Sequence, residues 1–113
     1  MSAKKATTPQ HTACDPDAKQ ALAVDPELKA AAVRRLRRIA GQVRGLEAMV
    51  EQERYCADIL VQVASVQEAL RGVGRLLMRN HLEHCATQAI REGGDAASSM
   101  YDELLDLVYR HAR

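Results

Sequence analysis

Six apolar residues, Ile59, Val63, Val66, Leu70, Val73 and Leu77, recur at steps of 4, 3, 4, 3 and 4, and this seam constrains the fold more than any other feature. Steps alternating between three and four keep side chains on one face of an α-helix over many turns, the period of bundles and coiled coils. Such a helix carries an apolar stripe and must lay it against another helix. The run is expected to start near Arg54 and continue to about Glu92, where "GGD" breaks it and Asp95 offers a fresh N-cap.

Two further helices flank it. In "DPEL", Asp25 serves as N-cap, Pro26 takes the first helical position and Glu27 the first turn. Val33, Leu36, Ile39, Val43, Leu46 and Val50 then form an amphipathic stripe to about Glu51. Met100, Leu104, Leu107 and Val108 mark a short third helix. No strand pattern competes, so the expected class is all-α, with two long helices and one short. Residues 1–25 are polar, carry two prolines and show no sustained period; they read as a mobile tail before a helical domain over 26–113.

Composition matters here for what it withholds. The chain has no Trp or Phe and only Tyr55, Tyr101 and Tyr109 as aromatics, so three thin helices bury little on their own and oligomerisation is expected to complete the core. Nothing approaches the apolar length needed to span a bilayer. Cys14, Cys56 and Cys85 form no dense disulfide pattern and no secretory leader is evident, which reads as a cytoplasmic protein with reduced thiols.

"NHLEHC" places His81 and Cys85 four residues apart, on one helical face and about one turn from each other. Two ligands hold a metal poorly. Cys56 is 25 residues before His81, roughly 38 Å along a continuous helix at about 1.5 Å per residue, so the two cannot share an ion within one chain. An antiparallel dimer resolves this: Cys56 of one subunit meets His81 and Cys85 of the other, and the two-fold axis makes two equivalent sites in a four-helix bundle. Two thiolates and an imidazole suit Cu(I), or Zn(II) with a fourth ligand. The plainer readings are a cysteine acting as a small buried apolar residue and a solvated histidine. His84 falls on the extension of the apolar seam and is not expected to ligate. His11 and Cys14 in the tail form a second pair with chelating spacing, or an incidental one.

The net charge is only +1, yet "VRRLRR" puts Arg34, Arg35, Arg37 and Arg38 around a single leucine, and no acidic residue occurs from Lys29 to Arg44. Repeated by symmetry, this makes a stripe suited to phosphates; the plain alternative is a solvated helix face. No helix-turn-helix, finger or ribbon signature is present. A DNA partner would therefore be read through backbone and groove shape.

The segment "RRLRRIAGQVRGLEAMVEQERYCADILVQVASVQEAL", followed by "NHLEHC", strongly resembles the CsoR/RcnR family of bacterial metal-responsive repressors over about residues 28–110. The matching motifs are R-x-x-G-Q-x-R-G, then R-Y-C-x-D, then H-x-x-x-C. The resemblance implies a homodimer of three-helix subunits assembling as a dimer of dimers, an apo-form bound to operator DNA, and an inducer that releases it. It points to Cys56, His81 and Cys85 as the copper-sensor ligand set, with Tyr55 and, across two extra residues around "EGGD", Glu103 as neighbours of the ligands. Nickel and cobalt sensors of the family add a histidine ahead of the first helix, and none of Leu22 to Asp25 supplies one; persulfide sensors lack the central histidine and formaldehyde sensors the second cysteine. The tail with His11 and Cys14 keeps nickel open. Arg35 matches the family's DNA-binding arginine, and Arg71 and Arg75 lie where further basic contacts are expected, with Gly72 interrupting the patch.

The expected function is thus a Cu(I)-sensing repressor that binds operator DNA without metal. Its alternatives are a nickel-sensing relative and a copper buffer lacking DNA function. A thiol enzyme would need an oxyanion donor and a nucleophile elbow, and the chain has neither motif.

Overall fold

The fold is seen in a computed structural model, which describes residues 14–15, 20–21 and 24–111. Its elements are β1 (Cys14–Asp15), β2 (Gln20–Ala21), α1 (Pro26–Glu51), α2 (Cys56–Asn80), a π-helical turn (His81–Ala86), α3 (Thr87–Glu92) and α4 (Gly94–His111). Among the described residues the elements are helical apart from two short strands, which pair antiparallel with Cys14 opposite Ala21. That pair lies in the segment expected to be a mobile tail; the rest of residues 1–23 lies outside the described residues. Two compact units divide the molecule: Asp25–Arg79, and Asn80–Arg113 with the N-terminal segment.

The first unit is a helical hairpin. Asp25 caps α1: its Oδ1 accepts the Glu27 N–H at 3.1 Å, and its carbonyl accepts the Lys29 N–H at 2.8 Å, satisfying donors that have no partner inside the helix. At the other end the Arg54 N–H reaches the Met49 carbonyl at 3.0 Å and the Glu53 N–H reaches that of Val50 at 3.0 Å, the paired bonds of a Schellman stop. The turn forces Glu53 to φ 56°, a left-handed conformation that costs a non-glycine residue about 1 kcal/mol. Ile39 of α1 packs on Val66 and Val73 of α2, with Leu46 and Ala69 alongside.

The two seams are only partly covered. Ile39, Val66 and Val73 are buried, but Leu36, Val43, Val50, Leu70 and Leu77 stay between 43% and 59% exposed. Two helices in contact cover one flank of each other; the rest of a heptad stripe needs more helices.

In the second unit the helix expected to run unbroken to Glu92 changes character. His81–Ala86 form a π-helical turn before α-helix resumes at Thr87, and the Thr87 hydroxyl donates to the Leu82 carbonyl at 2.8 Å. Gly93 and Gly94, at φ 73° and 56°, reverse the chain in a conformation glycine adopts at no steric cost. Here one expectation is corrected. Asp95 lies in the first turn of α4, and Gly93 takes the cap position because its carbonyl accepts the Ala97 N–H at 3.2 Å. The last helix is the shortest of the three main ones at 18 residues, and its Met100 and Leu104 pack against Cys85, Ala86 and Ala89. Among the described helices none is long and apolar enough to cross a membrane.

Candidate metal centre

Cys56 is the first residue of α2, an exposed free thiol. Tyr55 precedes it at the helix cap, where its carbonyl accepts the N–H groups of Asp58 and Ile59 at 3.0 and 3.2 Å while its side chain is 73% exposed. His81 follows the last residue of α2, a helix of 25 residues that begins at Cys56. Among the described residues no cluster of three histidine, cysteine or acidic side chains lies within reach of one metal ion.

Around His81 the second unit is tightly built. Its Nε2 lies 3.5 Å from Glu103 Oε2 on α4, too long for a hydrogen bond but within ion-pair range for a protonated ring. His81 Nε2 and Glu103 Oε1 are both buried with no hydrogen-bond partner. Buried polar atoms left unsatisfied are costly unless something binds them. A metal on one ring nitrogen leaves the other as an N–H donor, which a carboxylate is well suited to receive. The register of α4 that brings Glu103 here follows from the glycine reversal at 93–94.

Cys85 is buried at 4% exposure in the apolar cluster with Ala86 and Met100. It is also disulfide-bonded, where a reduced thiol was expected. A disulfide sulfur carries no thiolate lone pair for a metal, so ligation by Cys85 requires reduction first. His84, one residue off the His81 face, is exposed. Of the tail pair, His11 lies outside the described residues, and of Cys14 only the strand backbone is described; β1 contacts the π-helical turn.

The expected DNA residues are found on both helices of the first unit. Arg34, Arg35, Arg37 and Arg38 are all exposed along α1, and Arg71 and Arg75 are exposed on α2. Arg35 reaches over α2, so that a Cβ added at Gly72 would sit 3.6 Å from its Nη1. Arg71 is not a free cation: its Nη1 bonds Glu68 Oε1 at 2.8 Å. That pair is an i, i+3 spacing legible in the sequence, and it was missed.

Residues 28–110 match the sequence profile of a family described as metal-sensitive transcriptional repressor. The chain is 44% identical over 80 residues to the copper-sensing transcriptional repressor RicR of Mycobacterium tuberculosis, over 71% of this chain and 83% of that one. It is 49% identical over 80 residues to the copper-sensing transcriptional repressor CsoR of Bacillus subtilis, over 70% and 76% of the two chains. In structure it is similar to the copper-sensing repressor CsoR with Cu(I) from Geobacillus thermodenitrificans, with a TM-score of 0.72 and 45% identity, covering 79% of this chain and 91% of that one.

Proposed function

Because the chain belongs to the metal-sensitive transcriptional repressor family, we propose that it is a Cu(I)-responsive repressor, bound to operator DNA without metal and released when Cu(I) occupies a site shared between subunits. Cys56 of one subunit and His81 and Cys85 of its partner form the ligand set. One observation carries the metal assignment: the soft set of two sulfurs and one imidazole occurs in a chain 44% and 49% identical to relatives named copper-sensing. The sharing rests on the length of α2, and the exposed leucines and valines of the two seams supply the surface on which an antiparallel dimer, and then a dimer of dimers, closes.

In this reading the helical region 26–113 is one sensing and DNA-binding domain. Arg34, Arg35, Arg37, Arg38 and Arg75 meet operator phosphates, with Arg71 held back by Glu68. Closing the copper site draws the ends of two subunits together. The His81 ring, fixed by Cu(I) on one nitrogen, donates from the other to Glu103 or Tyr55 and so fastens α4 in one position. DNA is released only to the extent that copper favours an arrangement whose arginines no longer match the phosphates, because a ligand shifts an equilibrium by its differential affinity and by nothing else.

The test is an anaerobic Cu(I) titration of reduced protein followed by X-ray absorption, paired with operator mobility shifts. Two sulfurs and one nitrogen around copper, with DNA released on loading, is the expected outcome. Copper bound with no salt-dependent DNA binding identifies a copper buffer instead, and a preference for nickel in an oxygen- and nitrogen-rich site excludes the copper assignment.

A further inference from the structure

Between α1 and α2 runs an open groove of about 390 Å³. Arg35, Arg38, Ile39 and Gln42 line it from α1, and Glu68, Ala69 and Gly72 from α2. Arg35, Arg38 and Gln42 are spaced three and four apart, so two guanidinium groups and a carboxamide share one face. Ala69 and Gly72 have almost no side chain, which gives the groove its depth and lets Arg35 lie over the α2 backbone at Gly72. Ile39, buried, supplies apolar floor, and the other lining groups but one are cationic, neutral-polar or small. The exception is a carboxylate: Glu68, whose Oε1 bonds Arg71 Nη1 at 2.8 Å with both side chains well exposed.

The geometry points to this groove as a subsite for one phosphodiester of duplex DNA, with Glu68 as its built-in competitor. Two arginines and a glutamine amide along one groove match the charge and donor needs of a phosphate oxygen pair. Glu68 works against that in two ways. It places a negative charge at the rim where the phosphate must enter, and it engages Arg71, which otherwise adds to the positive stripe. Glu68 is therefore an affinity-tuning residue. It keeps the DNA complex weak enough for a ligand of finite coupling to dissolve it. This rests on the reading of the chain as a DNA-binding repressor.

The experiment compares Glu68→Gln with the parent protein, reduced and metal-free, on operator DNA and on an unrelated duplex across a salt series. Losing one exposed i, i+3 pair leaves folding intact, and thermal melting and Cu(I) stoichiometry check this. Glu68→Gln is expected to bind both duplexes roughly 3- to 10-fold more tightly at low salt, with a log–log salt slope steeper by about one as Arg71 joins the contact. Equal gain on both duplexes is required, because a phosphate contact carries no sequence information. Affinity unchanged or lowered, or a gain on operator alone, overturns the subsite. Arg35→Ala separates the two levels of the argument. If it weakens DNA binding while Glu68→Gln matches the parent, the groove assignment alone fails; if the parent shows no salt-dependent DNA binding at all, the repressor reading fails with it.

Discussion

His81 and Glu103 face each other at 3.5 Å, nitrogen to carboxylate oxygen, each contributing a buried polar atom that bonds nothing. The pair joins the start of the π-helical turn to the middle of α4. A ring held there can report the state of one nitrogen through the proton on the other. This is the link in the account between binding copper and moving a helix.

Copper affinity and copper signalling should therefore separate at this pair. The thiolates supply much of the affinity for a soft ion, so His81→Ala is expected to bind Cu(I) measurably but more weakly, and to stay on DNA when loaded. Glu103→Gln and Tyr55→Phe should keep the ligand set and lose part of the response. Operator affinity with and without saturating Cu(I) gives the coupling free energy, expected to fall from the common range of about 1–3 kcal/mol towards zero in His81→Ala. Loaded His81→Ala leaving DNA as readily as the parent protein shows that His81 is a ligand and no more.

Oxidation should silence the sensor without unfolding it. Cys85 is disulfide-bonded and buried among Ala86 and Met100, so the oxidised protein has one ligand sulfur fewer. It is expected to bind operator normally, take up Cu(I) weakly and remain on DNA, with a thiol reductant restoring release. Full release by copper from protein verified as oxidised at Cys85 removes that sulfur from the site.

The uncovered seam gives a third expectation. Leu70 and Leu77 continue the line of buried Val66 and Val73 yet are 47% and 49% exposed. Leu70→Glu or Leu77→Glu places a charge on the surface assigned to the partner subunit. Each should shift the protein to monomer in sedimentation and abolish high-affinity Cu(I) binding, with helical content retained. A monomer that still binds copper tightly contradicts the shared site.

Much of the first unit was legible in the sequence because local signals agree there. Asp25, Pro26 and Glu27 mark the start of α1, and the apolar steps carry it to Glu51. Where α1 stops was also legible, but how it stops was not: the left-handed position carries Glu53 rather than glycine. The π-helical turn at His81–Ala86 left no trace in the apolar period. At the third helix, two adjacent glycines with positive φ put the cap at Gly93, two residues ahead of Asp95. Cys56, His81 and Cys85 were singled out by spacing together with the family resemblance, since spacing alone also fits a small buried cysteine and a solvated histidine. The groove lined by Arg35 and Glu68 did not, because it exists only once α1 and α2 lie side by side.

The central claim is that one copper ion bridges two chains, and subunit mixing tests it most directly. A Cys56→Ala subunit retains His81 and Cys85; a subunit carrying His81→Ala and Cys85→Ala retains Cys56. Neither homodimer has a complete site, whereas their heterodimer has one intact site of the two that symmetry provides. Reduced subunits are exchanged under anaerobic conditions, the heterodimer is purified by distinct tags, and Cu(I) is titrated against a competing chelator. The account predicts one high-affinity Cu(I) per heterodimer and none in either parent homodimer. High-affinity binding by a parent homodimer, or none in a verified heterodimer, contradicts it.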